Sequence, residues 1–292
     1  MEETNTISQT IIDTINTIFE TLFASIDNNL YSVLDEVTFI GPDILNDKNF
    51  ENIFGTQTSN GILLIANSFI LAFIIFYAAR YLLSHLTYTQ TEAPFRFIFK
   101  LLLFGIAMNF SFSIMEMVLD LNFNISLAIR DLGENLFGKN INFSELINTI
   151  NTTMSVDTAS LNIFSIDGLI KGTLTISLLS LIFSYSLRYI MVKVFILLAP
   201  FAFISLTLNS TSWFFKAWSK NLFSLLFIQI IVALVLLILF SMDFSATNLF
   251  SKFVYVGGIY ALIKANSFVR EFIGGVSTNV AQTVQNLSSF RI

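Results

Sequence analysis

Between Leu169 and Leu208 the chain is apolar for about 40 residues, with Arg188 and Lys193 in the middle and Pro200 near the end. One straight helix of that length would run about 60 Å, roughly twice a hydrocarbon core. The stretch must therefore bend, break or extend past a bilayer. Proline removes a backbone donor and disrupts a helix interior, and freed backbone groups are tolerated at membrane depth only where protein or water satisfies them. The spacing predicts a membrane span over Leu169–Leu187 and a re-entrant or in-plane element over Val194–Trp213, broken at Pro200. With 54% hydrophobic and 12% charged residues, the 292-residue chain carries more apolar surface than one soluble core requires, so it reads as a polytopic, all-α membrane protein.

The basic residues give that reading a direction. Ten of the fifteen, namely Arg80, Arg96, Lys100, Arg188, Lys193, Lys216, Lys220, Lys264, Arg270 and Arg291, fall between alternate apolar blocks with only Glu92 and Glu271 for company. By the positive-inside rule they mark the cytoplasmic side. Gly61–Tyr77 and Leu101–Leu119 are then the first two spans. Asn221–Phe240 is the most apolar one, with Gln229 as its only strongly polar interior residue, and a weaker span lies near Phe250–Leu262. About five spans result, with the N-terminus outside and the C-terminus inside.

Five regions follow from this pattern. Residues 1–60 form an external acidic region, in which Ile7, Ile11, Ile15, Ile18, Leu22 and Ile26 recur at helical spacing and predict an amphipathic helix. Residues 61–119 form a two-span hairpin. Residues 120–168 are an external central loop, acidic, with apolar positions such as Ile141, Phe143 and Leu146 that predict short packed helices. Residues 169–263 are the transmembrane core and 264–292 a cytoplasmic tail. The first residues lack the basic start of a cleavable signal, so targeting is expected from the internal spans.

Chemistry is sparsely represented. Cysteine is absent and histidine occurs once, at His85, which leaves no thiolate nucleophile or disulfide and little for a transition-metal site. No phosphate-binding loop, HExxH or Gly-x-Ser-x-Gly occurs. No catalytic, cofactor-binding or metal-ligating residue is predicted, and the chain is not expected to be an enzyme. Candidate structural positions are Arg188, Lys193, Pro200, the cluster Trp213, Lys216, Trp218 and Lys220, and the pair Gly257 and Gly258. The cluster is expected to anchor the long span at the interface, its indoles at headgroup depth and its ammonium groups reaching water. The glycine pair suits close helix contact.

The order RYIMVKVFILLAPFAFISLTLNSTSWFFKAWSKNLFSLL, Arg188–Leu226, resembles the core of the TrbL family, the polytopic inner-membrane subunit of conjugative type IV secretion systems. The run GGIYALIKANSFVREFIGG, Gly257–Gly275, is similar to the closing segment of Gram-positive members. The resemblance covers about residues 169–280 and is topological before that. It implies a non-enzymatic channel or scaffold component of a DNA-transfer apparatus, embedded in the lipid bilayer of the bacterial cytoplasmic membrane. It also implies homo-oligomers and partnership with separate ATPases and external subunits. The central loop departs from the expectation of DNA contact, because its acids would repel phosphate, so contact with DNA is expected to be transient or indirect. The alternative is a small-solute transporter or ion channel with its site at the broken segment. Few ionisable residues in the spans and no internal repeat count against it.

Overall fold

A computed structural model describes residues 10–11, 13–15, 17–18, 28–55, 60–88, 92–153, 166–242 and 249–274. They are mostly helical, with no strand among them. Among the described residues from Asn28 on, ten helices run in chain order: α1 (Asn28–Thr38), α2 (Lys48–Phe54), α3 (Ile62–Thr87), α4 (Pro94–Asn109), α5 (Ser111–Phe137), α6 (Phe143–Thr153), α7 (Ile166–Leu197), α8 (Ala199–Ser205), α9 (Ser212–Ser241) and α10 (Leu249–Ile273), with a 3-10 turn at Pro42–Leu45. Four stretches are long and apolar enough to cross a membrane: α3, α5, the Gly172–Leu197 part of α7, and α9. The chain is thus a multi-pass membrane protein by length and composition. Five spans were expected, and the weak last one forms α10, which is not among the four. The expected second span is divided differently, because α4 and α5 meet at Phe110 and α5 continues far past Leu119.

Helices α5, α7, α9 and α10 form the main bundle. Asn122 and Ser126 of α5 bond to Leu226 and Gln229 of α9, so these two helices run parallel. Trp218 meets Phe195, whereas Arg188 meets Leu225 and Gln229, so α7 runs against α9. Tyr185 Oη donates to the Leu262 carbonyl at 2.9 Å and Asn266 Nδ2 to Ser184 Oγ at 2.6 Å, joining α7 to α10. Gly258 lies against Leu239, where any Cβ would collide with the leucine side chain, while the Cβ position of Gly257 is open. The close contact expected of the glycine pair is therefore made by Gly258, within the bundle. Between these polar contacts the buried surface is apolar, with Leu181, Val232, Leu236, Ile259 and Leu262 at the centre. At about 25 cal/mol per Å² of buried apolar surface, this cluster dominates cohesion wherever water is the competing environment.

Of the N-terminal acidic region, the described part after Pro42 and the helix before it pack on the other helices. Residues 28–54 lie along the bundle, not apart from it. Near the α6 end, Asp35 Oδ1 accepts the Phe143 backbone N–H at 2.8 Å, and Oδ2 accepts from the Ser144 N–H and hydroxyl. Asp35 therefore caps the first turn of α6 from another helix, where its charge also suits the helix dipole. Burial pushes this carboxyl above the usual range, while those hydrogen bonds and Arg130 pull the other way. At the opposite end, Asp47 stands 3.9 Å from Lys193, and Phe54 packs edge-on to Phe112 at 5.0 Å. Asp47 and Lys193, expected on opposite sides of a membrane, are neighbours. Of the expected N-terminal amphipathic helix, the described residues between 10 and 18 are helical, with Thr14 bonded back to Thr10; Ile7, Leu22 and Ile26 lie outside the described residues.

The central loop is shorter than its predicted limits, because α5 fills its first part and ends at Gly138 with φ 65°. Ile141, Phe143 and Leu146 are buried, as their pattern predicts. Asp35→Ala removes the cap from α6 and is expected to cost about 1 kcal/mol. Faster hydrogen exchange at Phe143 and Ser144 would register the loss, and unchanged exchange there would refute the capping role.

Candidate functional site: a buried arginine and a broken helix

Arg188 is fully buried at 0% exposure in the middle of α7. The sequence places it at a membrane interface; the structure places it inside the bundle. Its Nε donates to the Leu225 carbonyl at 2.7 Å, one terminal nitrogen to the Thr38 carbonyl at 2.7 Å, and the other to Gln229 Oε1 at 3.1 Å. Gln229 Oε1 also accepts the Ile40 N–H at 3.2 Å, and its amide donates to Ser126 Oγ. No carboxylate takes part in these bonds. Thr38 ends α1, and the last carbonyls of a helix lack intrahelical donors and carry the negative end of its dipole. A planar guanidinium fits several carbonyls at once in a way that an ammonium does not. The buried charge is thus matched by a helix terminus and by dipoles. This knot joins α1, α5, α7 and α9.

The break lies below it. Helix α7 stops at Leu198, and Pro200 sits in the first turn of α8, where its missing N–H costs no intrahelical bond. Leu206–Thr211 then turns the chain back into α9, closed by Thr211 Oγ1 on the Ser205 carbonyl at 2.6 Å. From the same turn, Asn209 accepts from Lys100 Nζ at 3.1 Å, and that ammonium also pairs with Glu92 at 2.6 Å. Helix α8 packs between α3 and α4 through Ala66, Met108 and Ile204. Against it lies an apolar cavity of about 420 Å³ lined by Phe69, Phe73, Leu198, Phe201, Trp213 and Phe214.

The remaining expected positions separate. Lys193 lies over the rings of Phe50 and Tyr189 at 5.3 and 5.4 Å. Trp213 is 65% exposed and Lys216 and Lys220 are exposed, which suits an interfacial anchor. Trp218 corrects the expected cluster. It is 5% exposed and its indole N–H donates to the Phe195 carbonyl at 2.7 Å, so it fastens α9 to α7 with its indole turned into the bundle. The physical reason is its position five residues past Trp213, about 140° around the helix, on the side that packs against α7 and α8. Sequence reasoning missed Thr38, Ile40 and Asp35 altogether. Gln229 did carry a signal, as the lone strongly polar residue of the most apolar helix. Among the described residues no group of acids and histidine is arranged to hold a metal ion. Comparison with known proteins gives no matching family model, no matching curated protein and no matching solved structure.

Proposed function

We propose that this chain is a non-enzymatic membrane subunit of a conduit, of the kind its resemblance to the TrbL family implies: a component of a conjugative type IV secretion apparatus in the bacterial cytoplasmic membrane. The observation that carries the reading is the fixing of the Ala199–Thr211 bend. The bend lies within the stretch that bears the resemblance. It is held on α7 by Trp218, on α4 by Lys100, and just above by the Arg188 knot. A rigid bent hub suits a subunit that holds its neighbours in place. The cavity at the bend is apolar, which suits lipid or protein side chains better than the polar solute of the transporter alternative.

In this reading the end of the bundle that carries Lys193, Lys216 and Lys220 faces the cytoplasm. The fifth span would be α10, and the bend would be the re-entrant element. ATPases would dock at the basic end, external subunits at the α6 end, and copies of the chain would assemble around the substrate path, with DNA touched transiently or indirectly.

Deletion of the gene from its mobile element is expected to abolish conjugative transfer, with restoration by the intact gene supplied elsewhere. Transfer at the undiminished frequency after deletion would refute the proposal.

A further inference from the structure

The cavity at the bend is graded from rim to floor. At its rim, Phe69 of α3 is 44% exposed and Trp213 of α9 65%, whereas Ile204 and Ser205 form a buried floor. Between them, Phe201 of α8 stands edge-on to Phe69 with ring centres 5.6 Å apart. Two lining residues carry hydroxyls, and both are spent inside the fold. Ser205 Oγ donates to the Ala202 carbonyl at 2.7 Å, and Thr211 Oγ1 donates to the Ser205 carbonyl. Below the rim the lining therefore presents almost no hydrogen-bonding group. A sugar, a nucleotide or a peptide backbone would bury its polar groups there unpaired.

Lipid lies beside this rim. Leu71, Ile75 and Phe76 flank Phe69 and Phe73 on α3 and are exposed, and α3 is apolar enough to cross a bilayer. An empty cavity would cost its lining the dispersion contacts of one side, and the hydrocarbon next to it restores them. The α9 edge of the rim is basic. Lys216 follows Trp213 by three residues on the same side of α9, and helical side chains lean toward the N-terminus, which carries its stem back over the turn that holds Trp213. Lys216 is exposed, and among the described residues no carboxylate pairs with it. Lys100, which reaches the bend from α4, is by contrast held by Glu92 and Asn209.

We propose that the cavity at the Ala199–Thr211 bend binds one acyl chain of an anionic phospholipid, whose headgroup lies against Lys216. A chain that leaves the bilayer for the cavity exchanges one apolar surrounding for another, so the cavity itself selects weakly and selection falls to the headgroup. One ammonium at the surface favours an anionic headgroup over a zwitterionic one by about fivefold. An apolar side chain from a protein partner would fill the same space but leave Lys216 unmatched. The bound lipid supplies packing to α3, the least buried of the four apolar helices. The inference requires that the chain lie in a bilayer and requires no role in secretion, so its failure leaves the proposed function standing.

The test uses the full chain in phosphatidylcholine vesicles with a trace of a photoactivatable lipid, which carries a diazirine midway along one acyl chain and either a phosphatidylglycerol or a phosphatidylcholine headgroup. Cross-links are expected to concentrate on Phe73, Phe201 and Phe214 over the outward Ile75 and Ile238. The phosphatidylglycerol probe is expected to label the cavity about fivefold more than its phosphatidylcholine counterpart. Lys216→Gln, an exposed change that leaves the fold intact, is expected to bring the two probes level there. Lys264→Gln, on a helix that gives the cavity no residue, is expected to keep the difference. Labelling spread evenly over cavity and outward residues would mean boundary lipid only. Labelled outward residues with an unlabelled cavity would assign the space to a protein side chain. Equal labelling by the two probes, or a difference that survives Lys216→Gln, would remove the headgroup contact. Each of these outcomes overturns the proposal.

Discussion

Arg188→Ala is expected to release the segment Asn28–Phe54 from the bundle and to lower stability by on the order of 4 kcal/mol. The loss combines a cavity with the stranding of the Thr38 carbonyl, a buried acceptor costing about 1–3 kcal/mol when it loses its donor, and with the loss of one of the two donors to Gln229 Oε1. Arg188→Lys keeps the charge but cannot reach three acceptors in a fork, so it is expected to recover only a small part of the loss. Purified protein in detergent would show the effect as a lower unfolding midpoint followed by Trp fluorescence. Limited proteolysis between α1 and α2 would report release directly. An Arg188→Ala protein with the wild-type midpoint and an uncut N-terminal segment would show that the knot does not hold it.

The glycine pair provides the second large contrast. Gly258→Leu drives a side chain into Leu239, between two buried helices, and overpacking of this kind costs about 1–3 kcal/mol or more. Gly257→Ala, one residue away, meets open space and replaces a poor helix former, so it is expected to be neutral or to stabilise α10 by up to about 1 kcal/mol. The two variants measured side by side by thermal unfolding should move in opposite directions. Equal shifts would mean that α10 is rotated from the position that Gly258 and Tyr185 give it.

What could be read in the sequence divides along physical lines. Apolar runs long enough to cross a bilayer announce themselves, and α3, α7 and α9 appear where Gly61, Leu169 and Asn221 lead one to expect them. The break near Pro200 was legible for the same reason. The run from Leu101 to Leu119 was misread because α4 and α5 meet without a proline or glycine at Phe110, and because α5 carries its acids on one face instead of at its ends. The packing of residues 28–54 had little signature behind their acids. Their apolar side chains at Ile40, Ile44, Leu45, Phe50 and Phe54 follow no helical period, since Ile40 precedes a 3-10 turn that holds Ile44 and Leu45, and Phe50 and Phe54 belong to a separate short helix. Arg188 was visible as an anomaly in an apolar stretch, but its partners were not. The carbonyls of Thr38 and Leu225 belong to the backbone and have no side-chain signature.

The knot also sets an order of events during synthesis. Ile40 emerges from the ribosome 189 residues before Gln229, the side chain that receives its N–H. At ordinary synthesis rates of about 5–20 residues per second, that interval lasts roughly 10–40 s. Throughout it, the apolar side chains from Ile40 to Phe54 have no Trp218, Leu222 or Leu226 to pack on. A segment made well before α9 is therefore seated only after it. Its docking closes the bundle only after α9 is in place, so a nascent chain arrested before α9 should carry a protease-sensitive N-terminal segment that the finished protein protects.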